Sequence, residues 1–324
     1  MKVRLGYVAI SNVLGKKVTS SSTVTFSNYK KIPTENKRIE KLRNVTLSNL
    51  TALSDIIKYN IENDIHFYRI TSALIPLVTH PEVGYFGHRE IFKRDFEYIG
   101  RLIKESNMRV DTHPDEFNVI NSINSKVVEN TIINLTRQLE WFEDMNYNNG
   151  KMVMHIGGAT GGKEKSLSRF INNFNSFPDK IKERLIIEND DKTYTAKETL
   201  NLCKKLNIPM VLDIHHHNCN NNGEEIVELL DDILKTWDNE ELPPKMHFSS
   251  PRNKSLEDKV DRKHSDFIDK VDFIDFLEVL KVFNKDVDIM LECKEKDVAL
   301  FKLSEDIRSV NKDYKWIDKT TLII

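Results

Sequence analysis

Residues 211–217 read Val-Leu-Asp-Ile-His-His-His. An apolar run stops at Asp213, and histidines follow at 215, 216 and 217. Carboxylate and imidazole are the donors that divalent metals take from proteins. A strand ending at Asp213 would therefore deliver an Asp-x-x-His pair to one ion. A solvated histidine cluster in a loop would give the same letters, so the pair gains meaning only if other strands end alike. They do. Candidate strands run into His113-Pro114, Met154-His155-Ile156-Gly157-Gly158, Ile187-Glu188-Asn189-Asp190, Lys245-Met246-His247 and Met290-Leu291-Glu292. His80 falls in the loop after the second strand and His264 in the loop after the seventh. A single buried His or Glu is ordinarily a satisfied core residue. Six successive strands ending this way would bury many ionisable groups, at a large desolvation cost unless cations shared them.

The set exceeds the needs of one ion, and about two or three divalent ions are expected; paired ions can activate a water and neutralise charge in an in-line phosphoryl displacement. Mixed imidazole and carboxylate donors suit Mn²⁺ and Zn²⁺ better than an all-oxygen Mg²⁺ site. Strand alternation supports convergence. Lys245 and His247 share one face, His155 lies with Val153, Glu188 with Ile186, and Asp213 is set against Leu212 and Ile214. His216, three residues beyond Asp213, is expected in the following loop. The residues themselves do not choose among His215, His216 and His217, and Cys219 is a further, weaker ligand candidate.

These ends must be positioned by a fold. Strand patterns at 3–10, 66–71, 108–113, 152–156, 185–188, 209–214, 245–249 and 287–293 alternate with helical patterns at 36–63, 88–106, 125–147, 165–174, a segment ending at Leu206, 224–237, 265–283 and 295–310. Thr195 and Glu198 have capping-box spacing at the start of the helix that ends at Leu206. The tail is unassigned. About eight alternating units predict an α/β protein built as a single (β/α)8 TIM barrel over residues 1–324, longer than the usual ~250 residues, with the metal site at the C-terminal ends of the strands. An open doubly wound sheet is the runner-up. No glycine-rich fingerprint follows the first strand, and the Gly157-Gly158 and Gly161-Gly162 pairs do not have phosphate-loop spacing. The polar stretch 11–33 is expected to be a long loop on the active-site face.

Composition narrows the partners. The chain has 324 residues, 39% hydrophobic and 30% charged, with a net charge of −2. No apolar run approaches the roughly 18 residues of a membrane span, and residues 1–7 lack a signal-peptide core. Three widely spaced cysteines (Cys203, Cys219, Cys293) fit a reduced, cytoplasmic compartment. Residues 1–43 carry ten Lys or Arg and two Glu, a local charge of +8, which leaves −10 for the remainder. A basic patch on an acidic molecule suits a polyanion bound in one place, although a solvated face would look the same.

The ordered motifs resemble the UV-damage endonuclease family of DNA-repair enzymes. They include Leu5-Gly6-Tyr7, Tyr68-Arg69-Ile70-Thr71-Ser72-Ala73-Leu74 with Pro76 and His80, His113-Pro114, His155-Ile156-Gly157-Gly158, Leu185-Ile186-Ile187-Glu188-Asn189-Asp190, Asp213-Ile214-His215-His216, Lys245-Met246-His247-Phe248-Ser249-Ser250 and Leu291-Glu292-Cys293-Lys294-Glu295-Lys296. The resemblance implies a barrel nuclease that cuts the phosphodiester immediately 5′ to UV photolesions, pyrimidine dimers and 6-4 photoproducts among them. Its partner would be damaged double-stranded DNA, met by a monomer in the cytoplasm at the nucleoid, with no membrane involved. Its cofactors would be divalent ions, Mn²⁺ first, with Zn²⁺, Co²⁺ and Mg²⁺ as alternatives. The implied ligands are His113, His155, Glu188, Asp213, His216, His247 and Glu292, and Glu188 is the key catalytic carboxylate. His80 and His264 would stand beside them as phosphate or supporting contacts. Lys245 would be carboxylated on its ammonium nitrogen; facing the ions, a cationic lysine would be repelled and its pKa lowered.

For lesion recognition the family pattern is a Gln and an aromatic after the third-strand His-Pro. Here Glu116 and Phe117 stand there. Phe117 keeps a stacking surface, whereas Glu116 loses the amide donor and adds a negative charge near phosphates. Tyr7 is a second candidate probe and Asn12 a candidate DNA contact. Lys16, Lys17, Lys30 and Lys31, with Arg252 and Lys254, would hold the DNA backbone through salt-dependent contacts. The rival readings are a metal-dependent sugar isomerase or epimerase, an abasic-site endonuclease on a related barrel, and a non-catalytic nucleic-acid-binding barrel.

Overall fold

A computed structural model describes residues 1–253 and 260–324; Lys254 lies outside the described residues. The chain runs β1 (Lys2–Val8), α1 (Phe26–Lys30), α2 (Glu35–Glu62), β2 (Phe67–Ile70), α3 (His88–Ile91), α4 (Lys93–Glu105), β3 (Arg109–Thr112), α5 (Ser125–Asp144) and β4 (Lys151–His155). It continues through α6 (Lys163–Ser176), α7 (Asp179–Lys182), β5 (Leu185–Glu188), α8 (Ala196–Leu206), β6 (Met210–Asp213), α9 (Ile214–Cys219), α10 (Ile226–Lys235) and β7 (Lys245–Phe248). Then come α11 (Lys270–Lys281), β8 (Val287–Leu291), α12 (Lys296–Val310), β9 (Lys315–Trp316) and β10 (Thr321–Ile323).

Strands β1 to β8 pair in parallel in chain order, and β1 pairs with both β8 and β2, which closes the barrel. The unassigned tail is a small hairpin: β10 adds antiparallel to β1, and β9 to β10. The Thr195–Glu198 capping box forms and starts α8. Three expectations need correction. The helix pattern at 88–106 is interrupted at Phe92, separating α3 from α4. The helix expected from 265 starts only at Lys270, where the Asp269 side chain caps it by accepting from the Val271 N–H. Residues 11–33 are not structureless: they contain α1 and are tied down from both sides. Buried Asp297 accepts from the Ser11 hydroxyl and from the Asn12 N–H at 2.7 Å, and Asn49 of α2 exchanges two hydrogen bonds with the Ser22 backbone.

The inside of the barrel is divided. On β4, β5 and β6 the residues two positions below the site are Val153, Ile186 and Val211, which pack with Trp237. On β3, β7 and β8 the corresponding interior is ionic. Asp288 takes both Arg4 (Nε and Nη2, each 2.6 Å) and Arg109 (2.9 Å), while Asp111 lies 3.3 Å from Arg109 and 3.0 Å from the Lys245 ammonium. Arg109, Asp111, Lys245 and Asp288 are buried.

Candidate metal centre

Parallel register sets His155 beside Glu188 and Asp213 beside His247, and alternation turns these side chains inward together. Asp213 is also the N-cap of α9. Its Oδ1 accepts the His216 N–H at 2.7 Å, which folds the third residue of the helix back over the cap. His216 therefore sits in a helix, not in the loop expected for it. The same cap explains the Asp-x-x-His spacing, because an N-cap side chain naturally reaches the residue three positions on.

Glu188 lies at the middle. One of its oxygens is 3.1 Å from His113 Nε2 and 3.7 Å from His155 Nε2; the other is 2.8 Å from His247 Nδ1 and 3.4 Å from His216 Nδ1. Glu292 is 3.2 Å from His247 Nδ1. Among the described residues, ligand atoms gather into three overlapping groups: His113, His155 and Glu188; Glu188, Asp213 and His216; and Asp213, His247 and Glu292. The seven side chains implied by the resemblance are the seven members of these groups. His215 turns away, with Nε2 3.9 Å from Cys219 Sγ, so neither it nor Cys219 joins them, and His217 is likewise outside.

The electrostatics are those of a cation site. Burial opposes ionisation of Glu188, yet the imidazoles of His247 and His155 and the hydrogen bond with His113 hold its carboxyl well below the usual range. Burial likewise opposes ionisation of Glu292, and Arg69 and His247 outweigh it. At His216 burial opposes the proton, but Asp213, Glu188 and Glu292 raise its pKa to about 9. Asp213 Oδ2 is buried without any hydrogen-bond partner. An unpaired buried acceptor costs free energy, and a divalent ion would complete it. Four imidazoles and three carboxylates match the donor preferences of Mn²⁺ and Zn²⁺.

Supporting residues hold the ligands. Asn189 takes the Asp213 N–H on its side-chain oxygen and donates to the Asp213 carbonyl, both at 2.9 Å, while its own carbonyl lies 3.0 Å from His216 Nδ1. Arg69 of β2 pairs with Glu292. His264 Nδ1 lies 2.5 Å from the Glu292 carbonyl. Gly157, at φ +100°, lets the chain leave β4 with the Asn121 side chain packed against it, where an added Cβ would come within 2.6 Å. Neither Asn189 nor Arg69 stands out by residue type, although both lie inside quoted motifs.

The remaining expected residues separate. A cavity of about 370 Å³ is lined by His113, His155, His216 and His264 together with Glu116, Lys192 and Arg262. Phe117 is 64% exposed and borders a neighbouring cavity with His80. His80 does not stand beside the ligands; its ring stacks on Phe26 of α1 at 3.7 Å. Tyr7 is no probe. It faces the helical layer, fully buried, and its hydroxyl donates to Asn60 of α2 at 2.8 Å. The Asn12 amide donates to Glu295 (3.1 Å) and to the Lys294 carbonyl. Lys16, Lys17 and Arg252 are exposed, and Lys30 pairs with Glu82. Lys245 shares the inward face of β7 with His247, but its ammonium is engaged by Asp111, and burial lowers its pKa to about 8.

Comparisons with known proteins find relatives along nearly the whole chain. Residues 3–320 match the family described as UV-endonuclease UvdE. The UV DNA damage endonuclease of Bacillus mycoides (strain KBAB4) is 40% identical over 323 residues, covering 99% of both chains. The crystal structure of SacUVDE superposes with a TM-score of 0.82 at 32% identity, over 96% of this chain and 99% of that one. Endonuclease IV from Thermus thermophilus shares the fold alone, with a TM-score of 0.52 and 16% identity over 80% of this chain and 95% of that one. The chain belongs to the UV-endonuclease UvdE family.

Proposed function

We propose that this chain is a metal-dependent endonuclease that hydrolyses the phosphodiester immediately 5′ to UV photolesions in double-stranded DNA. The observation that supports this most is Glu188, shared between two of three adjoining ligand groups at the floor of a cleft beside exposed Phe117. A cluster of two or three ions, Mn²⁺ first, fits the donor set; bound there, such ions would lower the pKa of a water and neutralise charge on both sides of an in-line displacement. Phe117 offers its ring to the stack where a lesion has weakened it, which lowers the cost of displacing the damaged nucleotides. Lys16, Lys17 and Arg252 stand free to hold phosphates, and Arg262 and Lys192 rim the same cleft. His264 presents its ring at the cavity wall, where it can hold a proton or a phosphate oxygen.

Lys245 is read as carboxylated. Burial, with Arg109 and Arg69 nearby, brings its amine towards neutrality, and neutral amine adds CO₂ with loss of one proton. The carbamate would meet Asp111, with Arg109 beside that carboxylate as counter-charge. Intact mass would show one added CO₂; an unmodified mass on fully metallated protein would refute it. One barrel supplies every residue of the site, so a monomer suffices. Among the described residues no helix is long and apolar enough to cross a membrane, and three unpaired cysteines fit a reducing cytoplasm.

The test is incision of end-labelled duplexes in Mn²⁺, carrying one pyrimidine dimer, one abasic site or no lesion. A cut immediately 5′ to the dimer that disappears in Glu188→Gln is expected. Cutting only at the abasic site would move the activity to the related endonuclease class. No cutting by metal-loaded protein would leave a sugar epimerase or a binding barrel.

A further inference from the structure

Arg69 is the one Arg or Lys among the described residues that pairs with a member of the ligand groups. Its guanidinium bonds Glu292, and it lines a cavity of about 350 Å³ with His113, His155, His216, His264 and Glu292. The side chain is 16% exposed, so it is held at the cleft floor and still reaches the cleft. It comes from β2, a strand that contributes no ligand. Glu292 belongs to the group with Asp213 and His247. A cation in that group and the Arg69 guanidinium draw on the same carboxylate and repel each other. In the group around His113, His155 and Glu188 the carboxylate is paired with imidazoles and not with Arg69, which acts on that group only from a distance.

We infer that Arg69 is a positioning residue that orients Glu292, makes the Asp213–His247–Glu292 group the weakest of the three for divalent cations, and keeps a guanidinium facing the scissile phosphate. The inference rests on the nuclease reading only for its last part. Loss of the guanidinium should move two measurements in opposite directions. Removing the positive charge relieves repulsion and tightens cation binding. It also removes a fixed donor from the phosphate side of the cleft, which slows incision.

The experiment titrates full-length protein with Mn²⁺, following free Mn²⁺ by electron paramagnetic resonance, for the parent, Arg69→Met and Arg69→Lys. In Arg69→Met the most weakly held Mn²⁺ is expected to bind at least ~10-fold tighter, and in Arg69→Lys to stay within about threefold of the parent. On a dimer-containing duplex, Arg69→Met is expected to lower kcat about 100-fold with little change in KM, and Arg69→Lys to recover part of it. A merely structural arginine would weaken both metal binding and turnover; unchanged or weaker Mn²⁺ binding in Arg69→Met overturns the inference. Should Arg69→Met not fold, Arg69→Gln decides it, because it keeps a polar contact with Glu292 without the charge: tighter binding of the weakest Mn²⁺ is expected, and unchanged or weaker binding refutes the competition. Tighter Mn²⁺ binding in Arg69→Met with no DNA cleavage by the parent would keep the charge effect and sink the nuclease reading.

Discussion

Two layers of buried ionisable groups lie one above the other in this barrel, and they are balanced in opposite ways. The lower layer has an excess of fixed cations. Arg4, Arg109 and, in its unmodified form, Lys245 share Asp111 and Asp288, each carboxylate serving two cations. The upper layer has the opposite excess. Glu188, Asp213 and Glu292 face four imidazoles and a single guanidinium. A structural ion network compensates itself because an unpaired buried charge is costly. A layer that holds three carboxylates against one guanidinium is arranged around positive charge brought from outside. Burial of charge alone would not have told the two apart; the ratio of fixed cations to carboxylates does.

The sharpest way to break this comparison is one substitution in each layer. Glu188→Gln is expected to reduce incision by more than ~10³-fold, beyond the loss of a single charge-stabilising donor, and to lower the urea midpoint of metal-free protein only modestly, through its weakened bonds to His113 and His247. Asp288→Asn should do the reverse in stability. It leaves Arg4 and Arg109 without their shared carboxylate in the barrel interior, and breaking a buried ion pair costs about 3–5 kcal/mol. Urea unfolding of both variants with and without Mn²⁺ reads the difference. Equal destabilisation by the two would erase the distinction between the layers.

A pH series sharpens it. The folded-state pKa of His216 is raised to about 9 by Asp213, Glu188 and Glu292 against the effect of burial, from an unfolded value near 6.5. A raised pKa means that the folded state binds the proton more tightly. The stabilisation is fully present below about pH 6.5 and is lost as pH climbs through 9. Metal-free protein should therefore lose Tm between pH 6.5 and 9. Added Mn²⁺ should reverse the slope, because the ion requires the imidazole without its proton. A falling Tm in both conditions would show that His216 does not meet the ion.

Much of the upper layer is legible in the sequence, because a parallel barrel turns each strand end into a station of the site and the ligands fall at those ends. The lower layer is harder to read. Arg109, Asp111 and Asp288 sit within strands buried on both faces, where hydrophobic runs do not reveal which face is inward. The expectation that Tyr7 probes DNA fails for the same reason. Val3, Leu5 and Tyr7 point to the helices, and Arg4, Gly6 and Val8 to the barrel axis, a choice that pairing partners make and residue types do not. Segment 11–33 reads as open loop because its fastenings, Asn49 and Asp297, are remote in sequence. The N-cap role of Asp213 is hidden by its candidacy as a ligand, although the cap uses only Oδ1 and leaves Oδ2 without a hydrogen-bond partner.

The smallest effects are expected where the site meets solvent, at Glu116 and Phe117. Both are exposed, Phe117 to 64%, and both lie on the segment that follows His113. Stacking on an aromatic is worth about 1–3 kcal/mol per base, so Phe117→Ala should weaken binding to a dimer-containing duplex by roughly 10–100-fold. Mn²⁺ affinity should not change, since the ring touches no ligand group. Glu116 lines the cavity with His113, His155 and His264, where a carboxylate repels the approaching backbone through partly screened solvent. Glu116→Gln removes that charge and should tighten binding several-fold at low salt, by about 1 kcal/mol or less, with the gain shrinking as salt rises. Filter binding of lesion and plain duplexes across a salt series separates the two residues. Phe117→Ala is expected to change the ratio between the duplexes, whereas Glu116→Gln is expected to shift both together, since repulsion from phosphates carries no information about the lesion. If Glu116→Gln changed the ratio as well, the side chain would be reading the displaced bases, and the boundary between the charge-balanced site and its solvated rim would have to be drawn further out.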